Sequence, residues 1–248
     1  MPQFAVIHVQ RGTPGGVTGL QKHINREIDV PNANKGKAKL NYFYRPDLRN
    51  HICSTPHDKP LYQRINERIA EGYTGKVAIR KDAVKNINII LSGSHDTMYD
   101  LFYNGGEKFD DWVEQNYRFI ASRFGAKNIV EFAVHADETT PHIHCVVLPL
   151  TPDGRLSAKE MLGNKSKMRE LQDEYAERMS WFGLQRGVRK TKAHHTEIRK
   201  WYAQDHDKEL AAARARITEL ERRLNIDRAQ EKGREKIPPS KKDLFFGI

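Results

Sequence analysis

The sequence predicts an α+β fold built around an antiparallel sheet, with a helical C-terminal extension. Three observations carry this. Residues 130–134 and 145–150 are short apolar runs rich in Val, Ile, Phe or Leu, and residues 137–141 between them have turn chemistry. The simplest arrangement is an antiparallel hairpin. Residues 109–124 place Trp112, Val113, Asn116, Tyr117, Ile120 and Phe124 at a helical period. From Trp201 onward charges alternate, and Leu210, Ile217 and Leu224 recur at heptad spacing with Leu220 between them.

The remaining elements follow in chain order. Residues 4–9 alternate and are mostly apolar, an opening strand. Residues 12–19 are loop-like. Residues 20–27 form a short helix carrying Lys22, His23, Asn25 and Arg26, and residues 31–39, small, polar and basic, form a flexible loop. A helix covers 61–71. Gly75 and Lys76 then lead into a basic-polar strand at 77–84 and a β-branched strand at 87–91, and Gly105-Gly106 breaks the chain. After the hairpin, Thr151-Pro-Asp-Gly marks a turn. Helices follow at 157–162 and 165–182, with Ser166 as N-cap of the second and Gly183 as its stop. Residues 184–199 are basic and contain His194-His195. The heptad region reads either as a dimerisation helix or as a linker helix against the domain. Ile237-Pro-Pro-Ser ends it, and the apolar residues 244–248 dock on something.

At 248 residues and 38% hydrophobic content, the chain holds one large domain or one domain with an appendage, its core within about the first 185 residues. The net charge of +10 points to a polyanionic partner, nucleic acid first and an anionic membrane surface second. Two cysteines, Cys53 and Cys145, give no disulfide framework. No charged region precedes an apolar stretch at the N-terminus and no run reaches the length of a membrane span, so the chain is expected to be cytoplasmic, without stable membrane insertion.

The hairpin carries the most informative residues. His135-Ala-Asp137-Glu138-Thr-Thr-Pro141-His142-Ile-His144 holds three histidines in one stretch. Strand side chains alternate faces, so His142 and His144 point the same way and His135, ending the partner strand, joins them. Three imidazoles on one sheet face bind a divalent metal and leave positions open for substrate.

This stretch, followed by Pro149-Leu-Thr-Pro-Asp-Gly-Arg-Leu-Ser-Ala-Lys159, resembles the metal motif of plasmid mobilization relaxases of the Mob/Pre (MobV) family, which are HUH endonucleases. Lys22-His-Ile-Asn-Arg26 is similar to that family's first motif, Leu40-Asn41-Tyr42 to its second, and Arg80-Lys-Asp-Ala-Val84 to another. The resemblance covers about residues 1–200, leaving 201–248 as a separate helical, coiled-coil-like extension. It implies a sheet of about five antiparallel strands flanked by helices. It also implies nicking of one strand of origin-of-transfer DNA and covalent attachment to the 5′ end. The resemblance further implies Mn²⁺ or Mg²⁺ at His135, His142 and His144, although the imidazoles alone would suit Zn²⁺. It implies His23 as nucleophile, with Tyr42 and Tyr44 as rivals because other HUH enzymes use tyrosine.

Around that centre, Glu138 is the candidate to accept or orient the nucleophile's proton, with Asp137 the lesser candidate. Arg26, three residues after His23, is expected to share its helix face and pair with a phosphate. Lys22, Asn25, Asn41, Arg80 and Lys81 are the candidate DNA contacts, and Asn41 and Tyr42 suit hydrogen bonding or stacking on bases. Three other readings compete: an HUH replication initiator or transposase, a non-catalytic DNA-binding protein with a structural metal hairpin, and a small-molecule metallohydrolase. The last leaves the positive charge unexplained.

Overall fold

The computed structural model describes residues 3–47, 51–188 and, near the C-terminus, 216, 217, 219, 220 and 222. The chain divides into Met1–Arg189 and Lys190–Ile248. In the second unit the five described residues are helical, and Ile217 and Leu220 are both exposed. Residues 189–199 of the basic segment, with His194-His195, the rest of the heptad pattern, the Pro-Pro stop and the apolar end lie outside the described residues.

The first unit contains six strands: β1 (Ala5–Arg11), β2 (Tyr42–Tyr44), β3 (Ile52–Cys53), β4 (Ile87–Gly93), β5 (Ile129–His135) and β6 (His142–Val147). They form one antiparallel sheet in the order β1-β4-β6-β5-β2-β3. The helices are α1 (Gly16–Ile24), α2 (Leu61–Gly72), α3 (His95–Asn104), α4 (Glu107–Phe124), α5 (Ala158–Leu162) and α6 (Lys165–Met179).

Alternation along the strands divides the apolar residues into two layers. Ile7, Ile89, Leu91, Phe132, Val134, Ile143 and Cys145 face a core filled by Met98, Trp112, Ile120, Tyr175 and Met179 from α3, α4 and α6. Phe43, Ala133 and Val146 face the other way, onto Ile24 of α1 and Leu61, Ile65 and Ile69 of α2. An ion pair pins this second layer: Arg64 of α2 meets the buried Glu131 of β5. Gln21 Oε1 also accepts from the Leu61 amide at 2.7 Å, tying α1 to α2.

The α+β class, the hairpin and the helices at 61–72, 107–124 and 165–179 agree with the sequence reading, and six strands replace the expected five or so. Other expectations are corrected. Residues 77–84 are not a strand: the chain forms a bend and a turn there, and β4, the strand that follows, is already paired on both edges by β1 and β6. The helix expected at 20–27 begins at Gly16, after left-handed Gly15 (φ 82°), and stops at Ile24. The loop at 31–39 tightens into a 3₁₀ turn, Lys35–Leu40, capped by Asn34 Oδ1 accepting from the Gly36 amide. Asn164, not Ser166, caps α6, accepting from the amides of Ser166 and Lys167. Gly183 does adopt the left-handed stop (φ 80°). The sequence reading missed α3, β2 and β3.

Candidate active site

The register of β5 and β6 assembles the site. His135 lies opposite His142, and Ala133 opposite His144. Directly paired residues share a sheet face, so the three imidazoles converge. Ring centroids stand 4.8 Å apart for His135–His144 and His142–His144, and 5.4 Å for His135–His142. One nitrogen of two of the rings is committed to a carbonyl. His135 Nε2 lies 2.9 Å from the Ile24 carbonyl, and His142 Nδ1 lies 2.9 Å from that of Thr140. A carbonyl only accepts, so each of these nitrogens carries its ring's proton. The other nitrogen then presents a lone pair. His135 Nδ1 is buried with no hydrogen-bond partner, 4.0 Å from Glu138 Oε1. His142 Nε2 lies 3.0 Å from His144 Nε2.

Helix α1 brings His23 to the same place. Its ring is 5.0 Å from that of His144 and 6.0 Å from that of His135, and its Nε2 is 3.8 Å from Glu138 Oε1. One donor atom from each of His23, His135, Glu138 and His144 lies within 4.8 Å of the others. His142 borders this group, 3.8 Å from Glu138 Oε1.

Past α1 the chain turns sharply at Arg26, whose φ of 58° is left-handed although it is not glycine. The turn aims its guanidinium at the carboxylates. Nε and Nη2 donate to both oxygens of Asp137 at 2.8 and 2.6 Å, and Nη2 also donates to Glu138 Oε1 at 2.7 Å. Asn32 donates to Glu138 Oε2 at 2.6 Å. Asn41 Oδ1 accepts from the amides of Ala136 and Asp137 at 2.9 and 3.2 Å, and the Asn34 amide donates to the Asp137 carbonyl at 2.8 Å.

Burial sets the charge state of this centre. It holds the imidazoles of His135 and His144 well below the ordinary histidine pKa, reinforced by the other histidines and Arg26. The His23 pKa is also lowered, mainly by burial, against the opposing pull of Glu138. For Asp137, burial raises the pKa but the hydrogen bonds from Arg26, with Asn41 alongside, outweigh it, so the carboxylate stays ionised. Neutral imidazoles at His135 and His144 beside the ionised Asp137 suit a divalent cation. The unpartnered Nδ1 of His135 is the clearest sign of that fit.

The sequence-expected residues divide accordingly. His23, His135, His142, His144 and Glu138 come together. Arg26 reaches the site but is spent on carboxylates and not left for a phosphate. Asn41 holds the turn through its carbonyl oxygen. Asn25 donates to Glu27 Oε1 at 2.8 Å, and Lys22 is exposed on α1. Arg80 and Lys81 are exposed on the segment before β4, where Arg80 lies 3.7 Å from Asp82. Tyr42 is not brought to the cluster. It pairs with Val134, so it lies on the opposite face of the sheet and packs against the α4 layer, where burial drives its hydroxyl pKa upward. Tyr44 shares that face, its ring 5.0 Å from Tyr117 and 5.7 Å from Phe132. Sequence reasoning missed Asn32 and Asn34. Their only signal was the Asn-x-Asn spacing inside a segment read as loop.

Fold and site together define an α+β protein with a histidine–carboxylate centre for a divalent cation. Residues 1–203 match the plasmid recombination enzyme family (Mob_Pre), and the chain belongs to that family. Plasmid recombination enzyme type 3 of Staphylococcus aureus is 32% identical over 206 residues, 80% of this chain and 47% of that protein. A plasmid recombination enzyme of Bacillus sp is 31% identical over 242 residues, 95% of this chain and 54% of that protein. The chain thus spans about half the length of these relatives. A Mn-bound crystal structure of the MobM relaxase domain (MOBV; Mob_Pre) bound to plasmid pMV158 oriT DNA superposes with a TM-score of 0.70 at 26% identity. That match covers 81% of this chain and 99% of the MobM chain. No helix among the described residues is long and apolar enough to cross a membrane.

Proposed function

We propose that residues 1–200 are the catalytic domain of a plasmid-mobilization relaxase, and that 201–248 form a helical extension. The domain nicks one strand of origin-of-transfer DNA and becomes joined to the 5′ phosphoryl end. The observation that carries this reading is the approach of His23, from the first family-like motif, to the hairpin histidines and Glu138. The oriT DNA in the MobM structure supports the substrate class.

His135, His142 and His144 would hold the cation, with Glu138 near enough to join and His23 beside them. When bound, the cation supplies Lewis-acid polarisation of the scissile phosphate. Mn²⁺ suits this mixed nitrogen and oxygen set better than Mg²⁺, which prefers oxygen ligands, and the Mn-bound MobM structure supports the same choice.

The chain's own residues do the rest. A neutral His23 nitrogen attacks phosphorus, an N–P bond forms, and the bond from phosphorus to the 3′ oxygen breaks. That oxygen leaves with the electron pair and takes a proton from solvent, while the other ring nitrogen of His23 releases its proton to solvent, so the phosphohistidine ring ends neutral. His23 must be uncharged to attack, and its burial favours that state. Both Glu138 oxygens already accept hydrogen bonds, from Arg26 and Asn32. With both oxygens engaged, the carboxylate is fixed in place, which supports an orienting role for Glu138. Ile217 and Leu220, exposed on helix, support pairing of two copies through the extension.

The test is an adduct assay: full chain, Mn²⁺ and a single-stranded oligonucleotide carrying the nick site, resolved under denaturing conditions. Wild type, Tyr42→Phe and Tyr44→Phe should form a covalent protein–DNA species, and His23→Ala should not. An adduct with His23→Ala, or an adduct of equal yield in excess chelator, would overturn the assignment.

A further inference from the structure

Beside the cluster, on the far side of the carboxylate turn, lies a cleft of about 210 Å³. It shares Asp137 and Glu138 with the site and is also lined by Tyr99, Tyr103 and Lys37. Helix α3 carries His95, Tyr99 and Tyr103 four residues apart, so they stack along one face. The Tyr99 and Tyr103 rings are 4.4 Å apart, and His95 is 5.8 Å from Tyr99. His95 Nδ1 reaches Thr140 Oγ1 of the histidine hairpin at 3.2 Å, tying the ladder to the site. Lys37 donates to the Tyr103 hydroxyl at 2.8 Å, and Phe102, packed on the core, meets the Tyr103 ring edge-on. The rings are held from behind, yet Tyr99 is 45% exposed and Tyr103 40%.

Met98 and Leu101 seat α3 on the core, and Tyr99 and Tyr103 stand on its partly exposed side. Exposed, pre-ordered aromatic rings beside a lysine are the surface on which unpaired bases stack. The cleft is smaller than the 300–1,000 Å³ of sites that enclose whole drug-sized ligands, so it suits one flat ring system. The net charge of +10 favours an anionic partner over a neutral or basic one, and the aromatic rings favour one that carries flat ring systems.

We propose that Tyr99 and Tyr103, with Lys37, form a subsite that stacks one unpaired nucleobase of the DNA strand adjoining the scissile phosphate. This rests on the strand-nicking reading and adds to it a residue-level account of how the substrate is held single-stranded at the centre. The stack supplies affinity and positions the phosphate, while Lys37 faces the backbone charge.

The experiment measures binding of the fluorescein-labelled nick-site oligonucleotide to the full chain by anisotropy, with EDTA to keep the strand uncut. The double variant Tyr99→Ala, Tyr103→Ala should bind roughly 5- to 150-fold more weakly, since stacking on a base has that worth by alanine substitution. The corresponding Phe variants keep the rings and should stay within about twofold. The salt dependence should keep its slope in the Ala variant, whereas Lys37→Ala should make it shallower by roughly one phosphate's worth. A single abasic nucleotide is then moved along the strand. At one position it should weaken wild type as much as the double Ala change does, and have no further effect in that variant. Melting temperatures of all variants establish that they are folded. Ala variants that bind like wild type, or an abasic effect undiminished in them, would remove the subsite and leave the nicking reading intact. Failure of wild type to bind the oligonucleotide at low salt would overturn both.

Discussion

Replacing Arg26 separates the two demands placed on that residue, pairing and backbone strain. Its side chain is 15% exposed, while those of Asp137 and Glu138 are 1% and 9% exposed. Arg26→Ala leaves two carboxylates side by side with no cation between them. Removing one partner of a buried ion pair costs about 3–5 kcal/mol, because the remaining charge stays desolvated. For a domain of this size each kcal/mol moves the melting temperature by about 2–4 °C. The expected fall is therefore about 6–20 °C, measured by circular dichroism in chelator so that no bound cation takes the place of the guanidinium. Alanine also retains the strain of a left-handed φ, which glycine relieves, so Arg26→Gly should be about 1 kcal/mol less damaging than Arg26→Ala. Arg26→Lys keeps the charge but loses the two-pronged geometry, and should fall between wild type and Arg26→Ala. If Arg26→Ala melts within about 3 °C of wild type, at most about 0.75–1.5 kcal/mol on the same scale, the fork is solvated and the reasoning fails. If glycine and alanine are equal, the strain argument fails.

Three further outcomes follow from the same geometry. Mn²⁺ at about 100 times its dissociation constant should stabilise wild type by about 2.7 kcal/mol, seen as a rise in melting temperature, and His135→Ala should lose most of that rise; an equal rise would place the cation elsewhere. Asn41→Ala strands the amides of Ala136 and Asp137, at about 1–3 kcal/mol, read from denaturant midpoints; a neutral result would mean that water serves those amides equally well. His57 has its pKa pushed down to about 4 by burial first and then by Arg64 and Arg45. A lowered histidine pKa means that the folded state binds fewer protons, so this contribution is present above about pH 6.5 and lost as pH falls toward 4. The side chain is 32% exposed, so after screening roughly 1 kcal/mol remains. His57→Gln should flatten the acid side of the stability profile by about that amount in urea titrations, and an unchanged profile would assign the acid loss to other groups.

Legibility in the sequence followed the range over which each interaction acts. The hairpin was readable because its register is local, with His135 and His142 facing each other across one turn. Helix α4 was readable because its buried residues, from Phe109 to Phe124, keep a helical period. Helix α3 was not: its apolar stripe is broken by Tyr99 and Tyr103, which face water. Strands β2 and β3 hold three and two residues, too few to show a period. The family resemblance carried His23 to the site, and α1 does bring it there. The fate of Arg26 was not readable, because its partners Asp137 and Glu138 lie 111 and 112 positions away. Sequence spacing offered a helix face shared with His23, whereas the left-handed turn at Arg26 takes it off the helix and onto the carboxylates.

The choice between histidine and tyrosine as nucleophile is in the end a question of strand register. In β2, Phe43 stands opposite Ala133 and Tyr42 opposite Val134. Sliding β2 by one residue would turn Tyr42 and Tyr44 onto the histidine face and send Phe43 into the α4 layer, since the side-chain period is two. Packing opposes that slip from both sides. Phe43, 6% exposed, is clustered with Leu61 and Ile65, while Tyr44 rests on Tyr117 and Phe132. A slip would strand a phenyl group and two phenols in sites shaped for the opposite chemistry, at a cost of about 1.5–3 kcal/mol for each large side chain displaced. The register that buries Phe43 is therefore the one that takes the phenols away from the imidazoles. It leaves His23, carried by α1 on the histidine face, as the side chain placed beside the cluster for the nucleophilic role we propose.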